Sequence, residues 1–239
     1  MRIAIIGYGK MGKMIEEVAL QRGHEIVLKI NIENTQDFTA ENIAKADVAI
    51  EFTGPSSAYG DVRQCLDFGI PVVSGSTGWN DRLEEMRAYC QQKGGSFLHT
   101  SNFSIGVNIF FEVNKQLAKL MATHPEYEVQ LKEIHHTAKL DSPSGTAVSL
   151  AEQVLANLPR KKSWANEPTG IPDVLSILSE RVDPAPGTHH VKYTSEIDDI
   201  EIIHTAHSRK GFAFGAVLAA EYIHDKKGVF AMKDVLGIG

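Results

Sequence analysis

The stretch RIAIIGYGKMG, residues 2–12, decides the fold of the first part of the chain. Its apolar run from Arg2 to Ile6 predicts a buried strand, and a complete GxGxxG pattern follows directly. In this pattern the first glycine permits a tight turn, the second lets the backbone approach a pyrophosphate, and the third allows a helix to pack closely on the strand. Apolar residues then recur at helical spacing until Gly23. The stretch therefore predicts the strand, phosphate loop and helix of a dinucleotide-binding domain.

Glu33 is the candidate for binding a coenzyme ribose. It lies about 20 residues beyond the glycines, at the end of a second predicted strand, where a carboxylate can accept hydrogen bonds from both ribose hydroxyls. A 2′-phosphate would be repelled by Glu33 and attracted by Lys10 and Lys29, so both NADH and NADPH remain open. NADH is slightly favoured because Asn34, and not arginine, follows Glu33. The phosphate-loop residues expected to contact the coenzyme are Gly7, Tyr8, Gly9, Lys10, Met11 and Gly12.

Short apolar runs alternate with amphipathic ones through the first hundred or so residues, which predicts βαβ units on a parallel sheet. The predicted strands are 2–6, 26–30, 48–52, 71–74 and 96–99, with helices near 57–67 and 80–92. Polar turns follow three of these strands, where an open sheet exposes its ligand crevice. Each turn is a candidate coenzyme contact, with an ordinary strand-to-helix connection as the alternative. The candidates are Phe52 and Thr53, then Gly75, Ser76 and Thr77, then Thr100, Ser101, Asn102 and Phe103.

The pattern changes after Asn102 to a mixture of strands and few helices. Helices are predicted at 105–121 and 145–158, and strands at 128–136, 174–181, 189–195 and 201–207, with a surface loop at 159–172. A small-residue apolar helix at 212–224 is expected to pack back against the first domain. The fold class is therefore α/β, with an α+β region inserted after the dinucleotide-binding part.

Composition narrows the classes of partner. The chain has 239 residues, 43% of them hydrophobic, and a net charge of -6, which favours an ordered protein and gives no general basic field for nucleic acid. No apolar stretch approaches the roughly 20 residues of a membrane span, so we expect no membrane partner and a cytoplasmic location. Cys65 and Cys90 form no CxxC pair and are interpreted as reduced structural thiols.

A second informative segment is EIHHTAKLDSPSGT, residues 133–146. It places His135 and His136 beside Lys139 and a small-residue turn, so a group that exchanges protons near neutral pH lies close to a fixed cation. That combination suits an anionic substrate that needs a proton. A metal site is not expected, because adjacent histidines on a strand face opposite ways and no third ligand has zinc spacing. The pair His189–His190 lacks an adjacent lysine and is interpreted as structural.

Six ordered segments resemble the dihydrodipicolinate reductase family: GYGKMG, FTGPS, GSTGW, SNFSIGVNIFF, EIHHTAKLDSPSGTA and SRKGFAFGAV. The resemblance implies a Rossmann dinucleotide-binding domain formed by residues 1–103 and 208–239. Residues 104–207 would form an α+β substrate-binding and oligomerisation domain with an open mixed sheet. The implied activity is NAD(P)H-dependent reduction of 4-hydroxy-tetrahydrodipicolinate, a cyclic dicarboxylate, to tetrahydrodipicolinate with release of water, in diaminopimelate and lysine biosynthesis. The implied assembly is a homotetramer.

The resemblance also implies roles for residues of the second segment. His135 takes the proton donor and acceptor position, Lys139 is a second proton donor, and His136 contacts the substrate, with a purely structural role as its alternative. Gly145 and Thr146 would hold a substrate carboxylate at the start of a helix. Arg209 is either a further anion contact or a surface residue. Two other functions stay open: another Rossmann amino-acid dehydrogenase, and a nucleotide-sensing regulator that has no enzymatic activity.

Overall fold

A computed structural model describes residues 1–238, which form two compact units. The first comprises Met1–Ile105 and the segment that begins at Lys210, and the second is Gly106–Arg209. In chain order the elements are β1 (Arg2–Ile6), α1 (Lys10–Gln21), β2 (Glu25–Ile30), α2 (Ala40–Ile43), β3 (Val48–Glu51), α3 (Ala58–Asp67), β4 (Val72–Ser74), α4 (Leu83–Lys93), β5 (Ser96–His99), α5 (Ile105–Met121), β6 (Glu128–His135), α6 (Gly145–Asn157), β7 (Ser163–Ala165), β8 (Val174–Arg181), β9 (Thr188–Thr194), β10 (Asp199–Thr205), α7 (Lys210–Ile223), β11 (Gly228–Phe230) and α8 (Met232–Leu236).

The first unit is built on a parallel sheet with strand order β2-β1-β3-β4-β5-β11. Its central strands are buried on both faces, which explains why they are continuous apolar runs. Ile3 and Ile5 on one face pack with residues of α1 and α7, whereas Ala4 and Ile6 on the other pack with residues of α3 and α4. This arrangement confirms the predicted Rossmann-like sheet. It also brings the ends of β1, β2 and β3 to one edge.

The second unit contains a mixed sheet with strand order β10-β9-β6-β8-β7. Strand β9 runs antiparallel to β6 and β10, while β8 runs parallel to β6 and β7. Apolar side chains of α5 and α6, including Phe110 and Leu150, cover one face of the sheet over Val129, Leu131 and Val191. The predicted mixed sheet is confirmed. None of the described helices is both long and apolar enough to cross a membrane.

Four short elements were missed by the sequence analysis, and one of them is the helix α2 (Ala40–Ile43). Strand β7 lies inside the segment 159–172 that was predicted to be a surface loop, and it forms because Ser163–Ala165 pairs with Val174–Ser176. Strand β11 pairs with β5, and α8 follows it. Each of these elements has only three to five residues, too few to show a periodic pattern. Strand β10 was predicted two residues too far along the chain, at 201–207 instead of Asp199–Thr205.

Candidate active site

The ends of β1, β2 and β3 surround a cavity of about 720 Å³ in the first unit. Several of the predicted coenzyme residues line it, together with Asp61 and Gln64 of α3 and residues of the turns. The predicted residues in the lining are Gly7, Tyr8, Gly9, Glu33, Phe52 and Thr53. The cavity therefore brings the phosphate loop, the acidic residue after β2 and the turn after β3 to one place.

The three glycines of the phosphate loop have different surroundings. Gly7 has a φ of +97°, and a Cβ there would lie 2.3 Å from the Phe52 carbonyl oxygen. A Cβ on Gly12 would lie 2.6 Å from the Gly7 carbonyl oxygen. At Gly9, by contrast, a Cβ would meet nothing within 4 Å in the described chain. Packing thus requires the first and third glycines, while the second faces open space, as a site for a pyrophosphate needs.

Glu51 organises the turns beyond this loop and was not identified from the sequence. It is fully buried at the end of β3. It accepts hydrogen bonds from the Thr53 amide and hydroxyl, both at 2.6 Å, and from the hydroxyls of Ser74 and Ser76, both at 2.5 Å. Four donors satisfy a carboxylate that burial would otherwise destabilise. Because Glu51 binds the side chain of Ser76, that hydroxyl contributes to the protein's own network.

The other predicted coenzyme residues lie outside the cavity lining. Gly75 has the Phe52 ring against it, since a Cβ would lie 2.2 Å from that ring, and Phe103 is buried in the core. The Thr100 hydroxyl donates to the Asn102 carbonyl oxygen and accepts from the Asn102 amide, both at 3.1 Å. Thr77 and Ser101 are exposed. Lys10 and Met11 begin α1, whose first amides have no partner within the helix.

The second segment forms a distinct site in the second unit. Residues two apart on a strand share a face, and β6 accordingly directs Glu133 and His135 into the same buried environment, with exposures of 0% and 7%. His136 follows the end of β6 and is half-buried. Ser144 caps α6 by accepting a hydrogen bond from the Ala147 amide at 3.2 Å. The first residues of that helix, Gly145 and Thr146, are more accessible than the cap.

Glu133 lies at the centre of this site. Its Oε2 is 3.0 Å from His135 Nδ1, and its Oε1 accepts from Arg181 Nη2 and from the Ser144 amide, both at 3.1 Å. Burial alone would raise the pKa of Glu133, but the hydrogen bonds from His135, Ser144 and Arg181 outweigh it and hold that pKa well below its ordinary value. The carboxylate is therefore ionised at neutral pH.

His189 and Lys139 complete the surroundings. The rings of His135 and His189 lie 5.1 Å apart, and burial together with the nearby His135 lowers the pKa of His189 to about 3, so His189 is neutral. Lys139 forms an ion pair at 2.8 Å with Asp141, whose pKa it lowers by hydrogen bonding. The site thus offers a fixed carboxylate, an imidazole against it and an ammonium on the adjoining loop.

The sequence argument against a metal site was incomplete. Ligand atoms of Glu133, His135 and His189 all lie within 4.8 Å of one another, so the fold supplies the third candidate ligand that linear spacing did not reveal. Arg181 already neutralises Glu133, however, and Ser144 Oγ lies 3.2 Å from His189 Nε2. They satisfy the cluster only in part, because Glu133 Oε2, His135 Nδ1 and His189 Nδ1 have no hydrogen-bond partner among the described residues.

Comparison with known proteins identifies the family. The family described as "Dihydrodipicolinate reductase, N-terminus" matches residues 1–103, and its C-terminal counterpart matches residues 106–236. The chain is 48% identical to the 4-hydroxy-tetrahydrodipicolinate reductase of Christiangramia forsetii, with 99% of this chain and 98% of the relative covered. The chain belongs to the dihydrodipicolinate reductase family. It is 32% identical to the same enzyme of Neisseria gonorrhoeae, over 93% of this chain and 84% of that one.

A solved member of the dihydrodipicolinate reductase family shares the fold. The dipicolinate-bound enzyme from Paenisporosarcina sp. TG-14 superposes with a TM-score of 0.79, at 22% identity and with 97% of each chain covered. Membership of the family makes the chain an oxidoreductase that uses a nicotinamide coenzyme. The resemblance noted from the six sequence segments is thereby confirmed.

Proposed function

We propose that the protein reduces 4-hydroxy-tetrahydrodipicolinate to tetrahydrodipicolinate with release of water, as a step of diaminopimelate and lysine biosynthesis in the cytoplasm. The observation that carries this proposal is the buried pair of Glu133 and His135 beside Lys139 and the accessible start of α6. Such a site supplies protons and binds carboxylates, which are the two needs of a cyclic dicarboxylate under reduction. When bound, the reduced nicotinamide supplies the hydride.

His135 and Lys139 are proposed to manage protons. Reduction of an unsaturated ring builds negative charge, and a nearby acid lowers the barrier by neutralising that charge as it forms. His135 is held by Glu133 and can donate or accept a proton, while the Lys139 ammonium stabilises charge and donates a second proton. The ion pair of Lys139 with Asp141 keeps the ammonium on its loop.

The start of α6 is proposed to bind a substrate carboxylate. The helix has 13 residues and its first amides point away from the helix body, where its dipole favours an anion. A Cβ on Gly145 would meet nothing within 4 Å in the described chain, so the backbone there is accessible. The Thr146 hydroxyl and the imidazole of His136 are proposed to contact the same carboxylate or the second carboxylate of the substrate ring.

The coenzyme is proposed to be NADH in preference to NADPH. Residues proposed to hold it are the phosphate loop, Glu33 and the turns after β3, β4 and β5. Glu33 lines the cavity and would repel a 2′-phosphate. Lys29, which would attract one, is engaged at 3.2 Å by Glu16. We expect Glu33→Gln to raise kcat/KM for NADPH relative to NADH, and Glu41→Gln, outside the cavity lining, to leave the ratio unchanged.

A homotetramer is proposed, with the uncovered face of the mixed sheet as its contact. The pairings of β9 with β6 and β10 place Lys132, His190 and Ile203 on one face, and Ile203 is 53% exposed. Light scattering of the purified protein tests the assembly. Ile203→Lys should shift it toward smaller species, since a charge would have to be buried.

The decisive experiment uses purified protein, enzymatically generated substrate and each coenzyme in turn. Consumption of reduced nicotinamide that depends on the substrate supports the proposed function, and its absence with both coenzymes would exclude it. Another Rossmann amino-acid dehydrogenase is the competing enzyme class. Competitive inhibition by dipicolinate, a planar ring dicarboxylate, favours the reductase, because the other class has no reason to bind it.

A further inference from the structure

Glu133 makes contacts that reach every part of the substrate site in the second unit. Its Oε2 faces His135, and its Oε1 accepts from the Ser144 amide, which precedes α6. Arg181 donates through Nη2 both to Glu133 Oε1 at 3.1 Å and to the Asp141 carbonyl oxygen at 2.7 Å. One buried carboxylate thus connects the imidazole, the start of α6 and the loop that carries Lys139.

The position of one proton follows from burial. Glu133 Oε2 and His135 Nδ1 are both inaccessible to water, and neither makes a hydrogen bond of good geometry with any group within residues 1–238. They lie 3.0 Å apart. A buried donor or acceptor without a partner is strongly unfavourable, and a proton on His135 Nδ1 directed at Glu133 Oε2 satisfies both atoms within the chain. The neutral ring then carries its hydrogen on Nδ1 and keeps Nε2 free.

Nε2 is also the atom that the surrounding chain leaves accessible. A Cβ on Gly187 would lie 2.9 Å from it, so the absence of a side chain at that position keeps space beside Nε2. Gly187 has a φ of +154°, a conformation that favours glycine. The atom that exchanges a proton with a ligand is therefore Nε2, and the atom that faces Glu133 is Nδ1.

We propose that Glu133 is a positioning residue, which fixes the Nδ1–H form of His135, presents Nε2 to the substrate ring and stabilises the imidazolium when Nε2 is protonated. The proposal deepens the function proposed above and rests on it. Glu133 touches neither substrate nor coenzyme in this scheme, and it acts through His135. Its hydrogen bonds with the Ser144 amide and Arg181 fix the position of the imidazole relative to the start of α6, where a substrate carboxylate is proposed to bind.

Charges around the imidazole agree with this role. Glu133 on the same strand is ionised, and its charge is shared with Arg181 from β8. His189 from β9 is neutral at working pH, since its pKa is about 3. Other titratable groups near this cluster are His136, which follows His135 in the chain, Lys139 and Asp141 on the loop after β6, and His204 on β10. Glu133 is thus the one buried anion in this group that can stabilise an imidazolium directly.

Replacement of Glu133 by glutamine gives a sharp test. Two donors, Arg181 Nη2 and the Ser144 amide, point at the position of Oε1, so the glutamine amide in Glu133→Gln places its oxygen there. Its NH₂ group then faces His135 Nδ1, which must accept, and the ring hydrogen moves to Nε2. This change preserves volume and shape but inverts the tautomer of the imidazole, as replacement of the Asp in a Ser-His-Asp triad by Asn does.

The tautomer is measured by ¹⁵N NMR of histidine-labelled protein, with the His135 signal assigned by its loss in His135→Asn. We expect a hydrogen on Nδ1 in the wild type and on Nε2 in Glu133→Gln. We expect kcat to fall roughly 100-fold or more, the scale of lost general acid catalysis, and KM to change much less. The alkaline limb of the kcat profile should move to lower pH, because the imidazolium loses its counter-charge.

Glu152→Gln is the matched control, because Glu152 is exposed on α6 of the same unit and lies outside the Glu133 cluster. It should leave kcat, the pH profile and the His135 tautomer unchanged. Equal effects of both variants, or an unshifted pH profile in Glu133→Gln, would overturn the proposal. If Glu133→Gln does not fold, a hydrogen on Nε2 in the wild type alone overturns it.

Failure of the proposed function is a separate outcome. Absence of turnover in the wild type excludes the reductase activity, whereas the tautomer remains measurable without substrate. A stoichiometric metal in the purified protein, with activity lost on chelation, would make Glu133 a ligand and would also overturn the positioning role.

Discussion

Gly9→Ala tests coenzyme binding at the phosphate loop. A methyl group at Gly9 enters the open space where the pyrophosphate is proposed to lie, since nothing in the described chain comes within 4 Å. Displacing the ligand from this position costs about 1–3 kcal/mol by analogy with overpacking, which is roughly 5- to 150-fold in Kd. Gly9 has a φ of -93° and a ψ of -149°, which lie outside the regions that alanine favours. The substitution should therefore also lower the free energy of unfolding by about 1–3 kcal/mol, and binding is compared on protein that remains folded.

Calorimetric titration with NADH and denaturant unfolding measure the two quantities on the same protein. Gly12→Ala should weaken both, because its methyl would lie 2.6 Å from the Gly7 carbonyl oxygen. Gly60→Ala, at an exposed position of α3 with nothing within 4 Å, should bind NADH normally and gain about 0.5–1 kcal/mol of stability. Normal NADH affinity in Gly9→Ala would refute the assignment of that space to the pyrophosphate.

Three further predictions concern the space beside His135, the reactivity of the two cysteines and the pH dependence of stability. Gly187→Ala should lower kcat at least about 10-fold by crowding His135 Nε2, and normal turnover would show that Nε2 is not the exchanging atom. Burial raises the pKa of Cys65 and brings that of Cys90 to about 11, so neither thiol should react with a disulfide reagent at neutral pH before denaturant is added. Because the pKa of Glu133 is depressed, its stabilisation is present above the ordinary value of 4.5 and is lost as the pH falls; chemical unfolding below that pH should show a steeper loss for wild type than for Glu133→Gln.

The parallel sheet was predictable because its central strands are buried on both faces. Such strands are rich in apolar residues, and the apolar runs 3–6 of β1 and 48–50 of β3 were sufficient to predict them. Strands β7 and β11, three residues each, are held by pairing with longer neighbours and carry no pattern of their own. Their existence depends on tertiary contacts that a local reading of sequence does not contain.

The parts of the candidate site that are continuous in the sequence were predictable, and the parts that other strands contribute were not. The phosphate loop and the segment 133–146 are continuous. The two-residue period of a strand would put Glu133 on the same face as His135, but the sequence analysis did not identify Glu133 as a site residue. Arg181 and His189 reach the site through register: β8 aligns Arg181 with His135, and β9 aligns His189 with Glu133. Cross-strand register is decided by the packing of whole strands, so no local signal could have identified either residue.

Each unit relies on one buried carboxylate near the carboxyl end of a strand: Glu51 in the first and Glu133 in the second. Both accept hydrogen bonds from polar groups of neighbouring turns. A buried anion is tolerated only when its donors are held in a single arrangement, so the same bonds that compensate its burial also restrict the turns. Residues proposed to touch ligands can then be small and accessible, as Gly145 is, because Glu133 binds the amide of the preceding Ser144. A search of the sequence for exposed polar residues finds those contacts and overlooks the carboxylates that hold them in place.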